Sequence, residues 1–227
     1  MRRRRMRSPR SPLPGDPPAA SNNPELKPLT MLRAVARRYG SLQDVVETEH
    51  ILHADLGFPL PLVWAILEDA ECWIHAIVHR SKVIKIHGEN FDVEEEEAAL
   101  YCIARLPLGA KEYKPLRRIV FTIEAHDQGP RIPLWPATGS WTWFEADTGP
   151  GQRQLIVRNV PADKEWHTYR IQWDYSPHDK VPKDAALHEW MGSVTRGQQI
   201  GVFARAEHQG WVNVVRSVSV EVYCAYA

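Results

Sequence analysis

An antiparallel β-sandwich, preceded by a small helical segment and a basic tail, is the fold the sequence predicts, and three observations carry it. The spacing of apolar residues changes from near 3.6 to near 2 at about Val83. From there onward turn-forming residues separate short apolar runs, with no helix-length crossover between most of them, which excludes a parallel α/β sheet. The 227 residues, 44% of them apolar, suffice for one main core plus an accessory segment and fall short of two full domains.

Residues 1–28 hold six arginines and seven prolines, a mixture that neither propagates a helix nor buries apolar area, so this tail is expected to be disordered. Its opening, MRRRRMRSPRSP, reads equally as a nuclear-import or phosphorylatable arm, with Ser8 and Ser11 each before a proline, and as a plain solubilising tail. Residues 29–82 read as helical. Leu32, Val35, Ala36 and Tyr39 stand at helical spacing up to Gly40; a second run starts at the N-cap Ser41 and stops before Gly57. The third begins at Pro59 and Pro61 and sets Leu62, Ile66, Ala70, Trp73 and Ile77 on one face, widened by Ile74 and Val78.

Residues 83–227 form the sandwich. Expected strands cover 83–87, 98–106, 116–125, 139–146, 152–160, 166–173, 198–206 and 213–223, the last with the cleanest alternation, and a helical turn or two is expected within 179–191. Trp141 and Trp143 share a strand face, more naturally as core members than as a stacking platform.

The zero net charge hides an asymmetry: seven cations against two carboxylates leave residues 1–28 at +5 and the remainder at −5. An acidic body repels a phosphate backbone, so nucleic-acid contact is expected only through the arginine-rich tail. Three cysteines without a CxxC pair read as reduced, buried thiols. No apolar run reaches the ~18 residues of a membrane span and no secretory leader is evident, so a protein without membrane contact, in the cytoplasm or nucleus, is expected.

The most suggestive local feature is an internal echo, VFTIEAHDQG at 120–129 and VFARAEHQG at 202–210, each a strand running into a polar turn. If the two strands point the same way, His126, Asp127, Gln128, Glu207, His208 and Gln209 decorate one sandwich end, together with Trp211 and Trp135. Acids, amides and indoles in one place suit sugars, whose hydroxyls want paired donors and acceptors while their C–H faces stack on rings. The competing and heavier reading is that the glycines permit tight turns and the polar side chains cap loop backbone. His126, Asp127 and His208 could also serve a metal-assisted enzyme, the weakest alternative, because nothing in their spacing demands coordination. No nucleophile elbow, phosphate loop or HExxH is present, and the four glutamates at 94–97 read as a solvated run, so no catalytic residue, metal or cofactor is assigned.

The strings RRIVFTIEAHDQG, GSWTWFEA, WHTYRIQW and GQQIGVFARAEHQGWVNVVRSVSVEVY together resemble an uncharacterised group of fungal proteins, over most of residues 58–227. The resemblance implies a jelly-roll or galactose-binding-like sandwich and no particular activity. It breaks at Gly129-Pro130, where an aromatic is expected after the glycine. Separately, FPLPLVWAIL at 58–67 is similar to the opening of an F-box, which implies a helix presenting Leu60, Leu62 and Ile66 to a Skp1-type adaptor, with the sandwich as substrate receptor. A helix packed on the sandwich accounts for the same residues. The favoured reading is a non-enzymatic binding module for a protein or glycan ligand at the loop end; the F-box-like adaptor is the alternative.

Overall fold

Ser41 opens the chain described by the computed structural model, which covers residues 41–88, 99–128, 140–149, 153–207 and 210–226, all within the unit Arg37–Ala227. The basic tail, the helix expected after residue 29, the glutamate run, Gly129, Trp135, His208 and Gln209 lie outside the described residues. The Ser41 hydroxyl accepts the Asp44 N–H (3.2 Å) while the Ser41 N–H donates to the Asp44 carboxylate (2.6 Å), a capping box that starts helix α1, Leu42–His50. That bond pattern holds the Asp44 carboxyl below its ordinary value, the backbone hydrogen bond contributing most. A π-helical turn, Ile51–Asp55, continues α1, and helix α2, Leu60–Asp69, follows with Pro59 as N-cap and Pro61 in its first turn. Val45, Val63 and Leu67 anchor these helices in the core.

The helix ends earlier than its apolar stripe suggests. Glu71 takes a left-handed backbone (φ 51°), and strand β1, Ile74–His87, begins three residues later instead of at Val83. The stretch 74–80 fits both periods, and pairing along the last strand, β8 (Val212–Cys224), decides between them, with Ile74 opposite Cys224, Ala76 opposite Val222 and Val78 opposite Val220. Ile74 and Val78 face the core, whereas Ile77, expected on the helix stripe, is 62% exposed.

The remaining strands are β2 (Leu100–Arg105), β3 (Leu116–Asp127), β4 (Thr142–Asp147), β5 (Arg153–Arg158), β6 (His167–Asp174), β7 (Gln199–Ala206) and β8 (Val212–Cys224); helix α3, Ala185–Ser193, lies between β6 and β7. They build two antiparallel four-stranded sheets, ordered β1-β8-β3-β6 and β2-β7-β4-β5, packed as a sandwich. Alternate residues fill it: Ile119, Phe121 and Ile123 with Val218, Val220 and Val222 from one sheet, Phe144 and Ala146 with Val202 and Ala204 from the other. Trp190 and Met191 of α3 and Trp173 of β6 belong to the same core.

Parity corrects one expectation. Thr142, Phe144 and Ala146 are the buried side of β4, so Trp143 faces outward, its indole N–H donating to Glu145 (2.7 Å) under the Arg158 guanidinium (5.3 Å). Trp141, just before the strand, is half-buried. The first sheet is tied to the second by Tyr101 of β2, a fully buried side chain whose hydroxyl accepts the Lys82 N–H (3.0 Å) and lies 2.7 Å from the Lys82 carbonyl. It satisfies backbone groups where β1 bulges between Ser81 and Ile84, a place the ladder leaves unpaired.

Candidate functional site

The chain leaving β3 and the chain leaving β7 lie at one end of the sandwich. His126 and Asp127 pair with Val214 and Asn213 of β8, and the Gln128 N–H donates to the Val212 carbonyl (3.0 Å). The Glu207 N–H donates to the Trp141 carbonyl (2.8 Å), and the Gly88 N–H to that of Trp211 (2.9 Å), which draws the chain after β7, β1 and the start of β4 to the same end. Glu207 is exposed and Gln128 half-buried.

Most of this end turns inward. The fully buried Asp127 carboxylate accepts the Ser140 hydroxyl (2.7 Å) and the Ala162 N–H (3.3 Å). The Ser140 and Thr142 hydroxyls share a hydrogen bond of 2.8 Å, and the Asn159 amide donates to Thr142 (2.8 Å) and to the Asn213 side-chain oxygen (3.0 Å). The Asn213 amide in turn donates to the carbonyls of Arg205 (3.0 Å) and Trp143 (3.2 Å). His126 is buried edge-on against Trp166, ring centroids 4.4 Å apart, and Trp211 is buried as well. Side chains that bond one another and the backbone of β4, β7 and Ala162 form a plug, and a buried network of this kind fixes structure.

At the opposite end, where β3 begins and β6 ends, a cleft of about 720 Å³ opens among α2, the turn into β1, the chain at 175–184 and the start of α3. Consecutive arginines mark the first turn of β3, and strand alternation sends them in different directions. Arg117, only 5% exposed, donates to Glu68 of α2 (2.5 Å) and to the Lys114 and Leu116 carbonyls (2.8 and 2.9 Å). Arg118 lies over the Trp73 ring (5.2 Å), donating to Asp174 on one side (2.5 Å) and with two nitrogens to Glu71 on the other (3.0 and 3.3 Å). Below it Trp73 packs with Val120 and Tyr223, its indole N–H lacking an acceptor among the described residues.

Tyr175 and His188 form the other wall, their rings 4.6 Å apart, with the His188 Nε2 2.9 Å from the Ser176 carbonyl. Gly192 of α3 makes this possible: a Cβ there would stand 2.9 Å from the Tyr175 hydroxyl, so any side chain would displace the ring. Asp184 caps α3 by accepting the Leu187 N–H (2.9 Å). A second cleft of about 370 Å³ adjoins the first, sharing Ala65, Glu68, Arg117, Pro177 and His178 and adding Trp64, Tyr113, Lys111, Lys114 and Tyr226. The larger lobe carries six carboxylates against three cations, while the smaller has Lys111, Lys114 and Arg117 against Glu68 alone.

Of the residues expected to touch an adaptor, Leu62 is exposed on α2, whereas Leu60 and Ile66 are half-buried. Among the described residues no group of three or more His, Cys, Asp or Glu is placed to hold a metal ion, and no helix is long and apolar enough to cross a membrane. The three thiols are free; burial pushes those of Cys102 and Cys224 up to about 12, and that of Cys72 upward too, with the Asp44 charge adding to the effect.

No known protein family and no curated protein matches the chain. Among solved structures, the crystal structure of a serine protease of Aeromonas sobria aligns with 66% of this chain at 10% identity and a TM-score of 0.26, a likeness too slight to bear on fold or chemistry. This chain spans 27% of that protein's length.

Proposed function

We propose that this chain is a non-enzymatic binding module built on a jelly-roll-like sandwich, and that it takes its ligand in the cleft among α2, the start of β3, the end of β6 and α3. The strand order β1-β8-β3-β6 over β2-β7-β4-β5 supports the jelly-roll reading, since it is the order two nested Greek keys produce. The observation that carries the binding reading is the Arg118 guanidinium, held over Trp73 between Glu71 and Asp174 in a concave site of ligand size. A clamp of this kind fixes polar groups before a ligand arrives, which favours recognition. The adjoining lobes of opposite charge excess favour a protein segment over a neutral glycan as the ligand.

Ala65, exposed and lining both lobes, provides the test. Peptides and glycans captured by the full chain from displayed libraries should lose binding at least about tenfold in Ala65→Trp, which fills the cleft without removing a contact. Capture unchanged in a normally folded Ala65→Trp protein would move the site elsewhere, and capture of glycans alone would replace the ligand class.

One observation keeps the adaptor reading in play: α2 is pinned by Val63 and Leu67 yet leaves Leu62 46% exposed. Under that reading Leu62→Asp abolishes recovery of a Skp1-type protein by the purified chain. Absence of such recovery with the unmutated chain at tens of micromolar removes it.

A further inference from the structure

We infer that the outer surface of α1, the π-helical turn and α2 docks a basic amphipathic helix of a partner protein. Fifteen large apolar side chains are exposed among the described residues, and seven of them fall between residues 42 and 64. Isolated exposed apolar residues are ordinary; a concentration such as Val46, Ile51, Leu56, Phe58 and Leu62 is not. The same helices already spend Val45, Val63 and Leu67 on the core, so the exposed set lies outside it.

Charge decides what can cover it. Residues 41–79 contain seven carboxylates and no lysine or arginine. Glu68 and Glu71 answer Arg117 and Arg118, and Asp44 serves the cap of α1. Glu47 follows Val46, Glu49 and Asp55 stand on either side of Ile51 in the chain, and the three form no ion pair among the described residues. Exposed apolar side chains among carboxylates that form no ion pair among the described residues repel nucleic acid and anionic lipid and attract lysine and arginine set beside an apolar stripe.

The backbone decides the partner's form. Helical N–H and C=O groups bond within their own helix, so this surface offers side chains and no open strand edge. An extended peptide would leave its own backbone groups without partners on the apolar strip, whereas a helix satisfies them internally. The platform is fixed in advance: the Trp64 indole N–H donates to Glu49 (3.1 Å) across the two helices, and the His53 Nδ1 lies 2.8 Å from the Phe58 carbonyl.

The test uses the full chain and two synthetic helical peptides with the same leucine stripe, one with lysine and one with glutamate on the polar face, measured by fluorescence anisotropy. The lysine peptide should bind in the micromolar range and the glutamate peptide should not. Binding should fall at least about tenfold in Val46→Ser/Leu62→Ser and comparably in Glu47→Lys/Asp55→Lys, all four positions being exposed and outside the core. Absence of lysine-peptide binding, equal binding of the two peptides, or loss in the charge variant with none in the apolar variant would overturn the inference.

Discussion

Where β3 stops, Asp127, Ser140, Thr142, Asn159 and Asn213 face one another in the interior; where β3 starts, Glu68, Glu71, Arg118 and Asp174 face one another on the wall of an open cleft. Both ends gather acids, donors and indoles, and they differ in what closes over them. At the first end four strands and the chain at 159–163 supply partners for Asp127, Ser140, Thr142 and Asn213, although His126 Nδ1 and Asn159 Oδ1 are buried without a hydrogen-bond partner among the described residues. At the second, α2 and α3 stand apart and leave Glu71 and Asp174 about half exposed. The lesson is that a polar cluster at a sandwich end is defined by its surroundings: enclosed, it holds strands in register; open, it is available to a ligand.

That contrast can be broken by substitution. Asn213→Ala should be the most damaging change, because it strips acceptor and donors from Asn159, Arg205 and Trp143 at once; a loss of about 3 kcal/mol in denaturant unfolding is expected. Asp127→Ala leaves the Ser140 hydroxyl and the Ala162 N–H without their acceptor and should cost about 2 kcal/mol. Arg118→Ala, whose two carboxylate partners are half exposed, should cost under about 1 kcal/mol while weakening ligand capture. Equal losses from Asp127→Ala and Arg118→Ala would erase the distinction between the ends.

The smallest effect concerns the thiols. Cys102 and Cys224 sit at about 12 in the folded chain against an ordinary 9.0, so the folded state holds their protons more tightly than the unfolded state. The stability they contribute is present in full below pH about 9 and is lost as pH rises towards 12. Unfolding midpoints measured at pH 8 and pH 10 should therefore fall, and the decline should be shallower in Cys224→Ala. At pH 8 iodoacetamide should label Cys72, the half-buried thiol, well before the other two.

The strands were legible because turn residues bound each short apolar run and alternation is clean in β4 and most of β6, and the start of β1 was not, because IHAIVHR satisfies a helical and an extended period together until β8 is beside it. The proline-marked start of α2 and the Ser41 cap were readable from single residues. That His126–Asp127 and the turn before β8 share an end followed from strand direction; that Asp127 points inward depends on Ser140 and Ala162, residues with no sequence mark. Trp141 and Trp143 were paired by parity, yet which side faces the core was set by Phe144. The cleft has no mark in the sequence, because its lining runs from Ala65 to His188 and each charge, read alone, looks like ordinary surface. Only the doublet Arg117-Arg118 at a strand start hinted that one guanidinium would be buried.

The most direct measurement is library capture by the full chain compared with Ala65→Trp and with Gln128→Ala, one variant at each end of the sandwich. The expected result is loss of captured ligand in Ala65→Trp and normal capture in Gln128→Ala, with both proteins melting like the unmutated chain. Normal capture in Ala65→Trp together with loss in Gln128→Ala would contradict the assignment of the binding end.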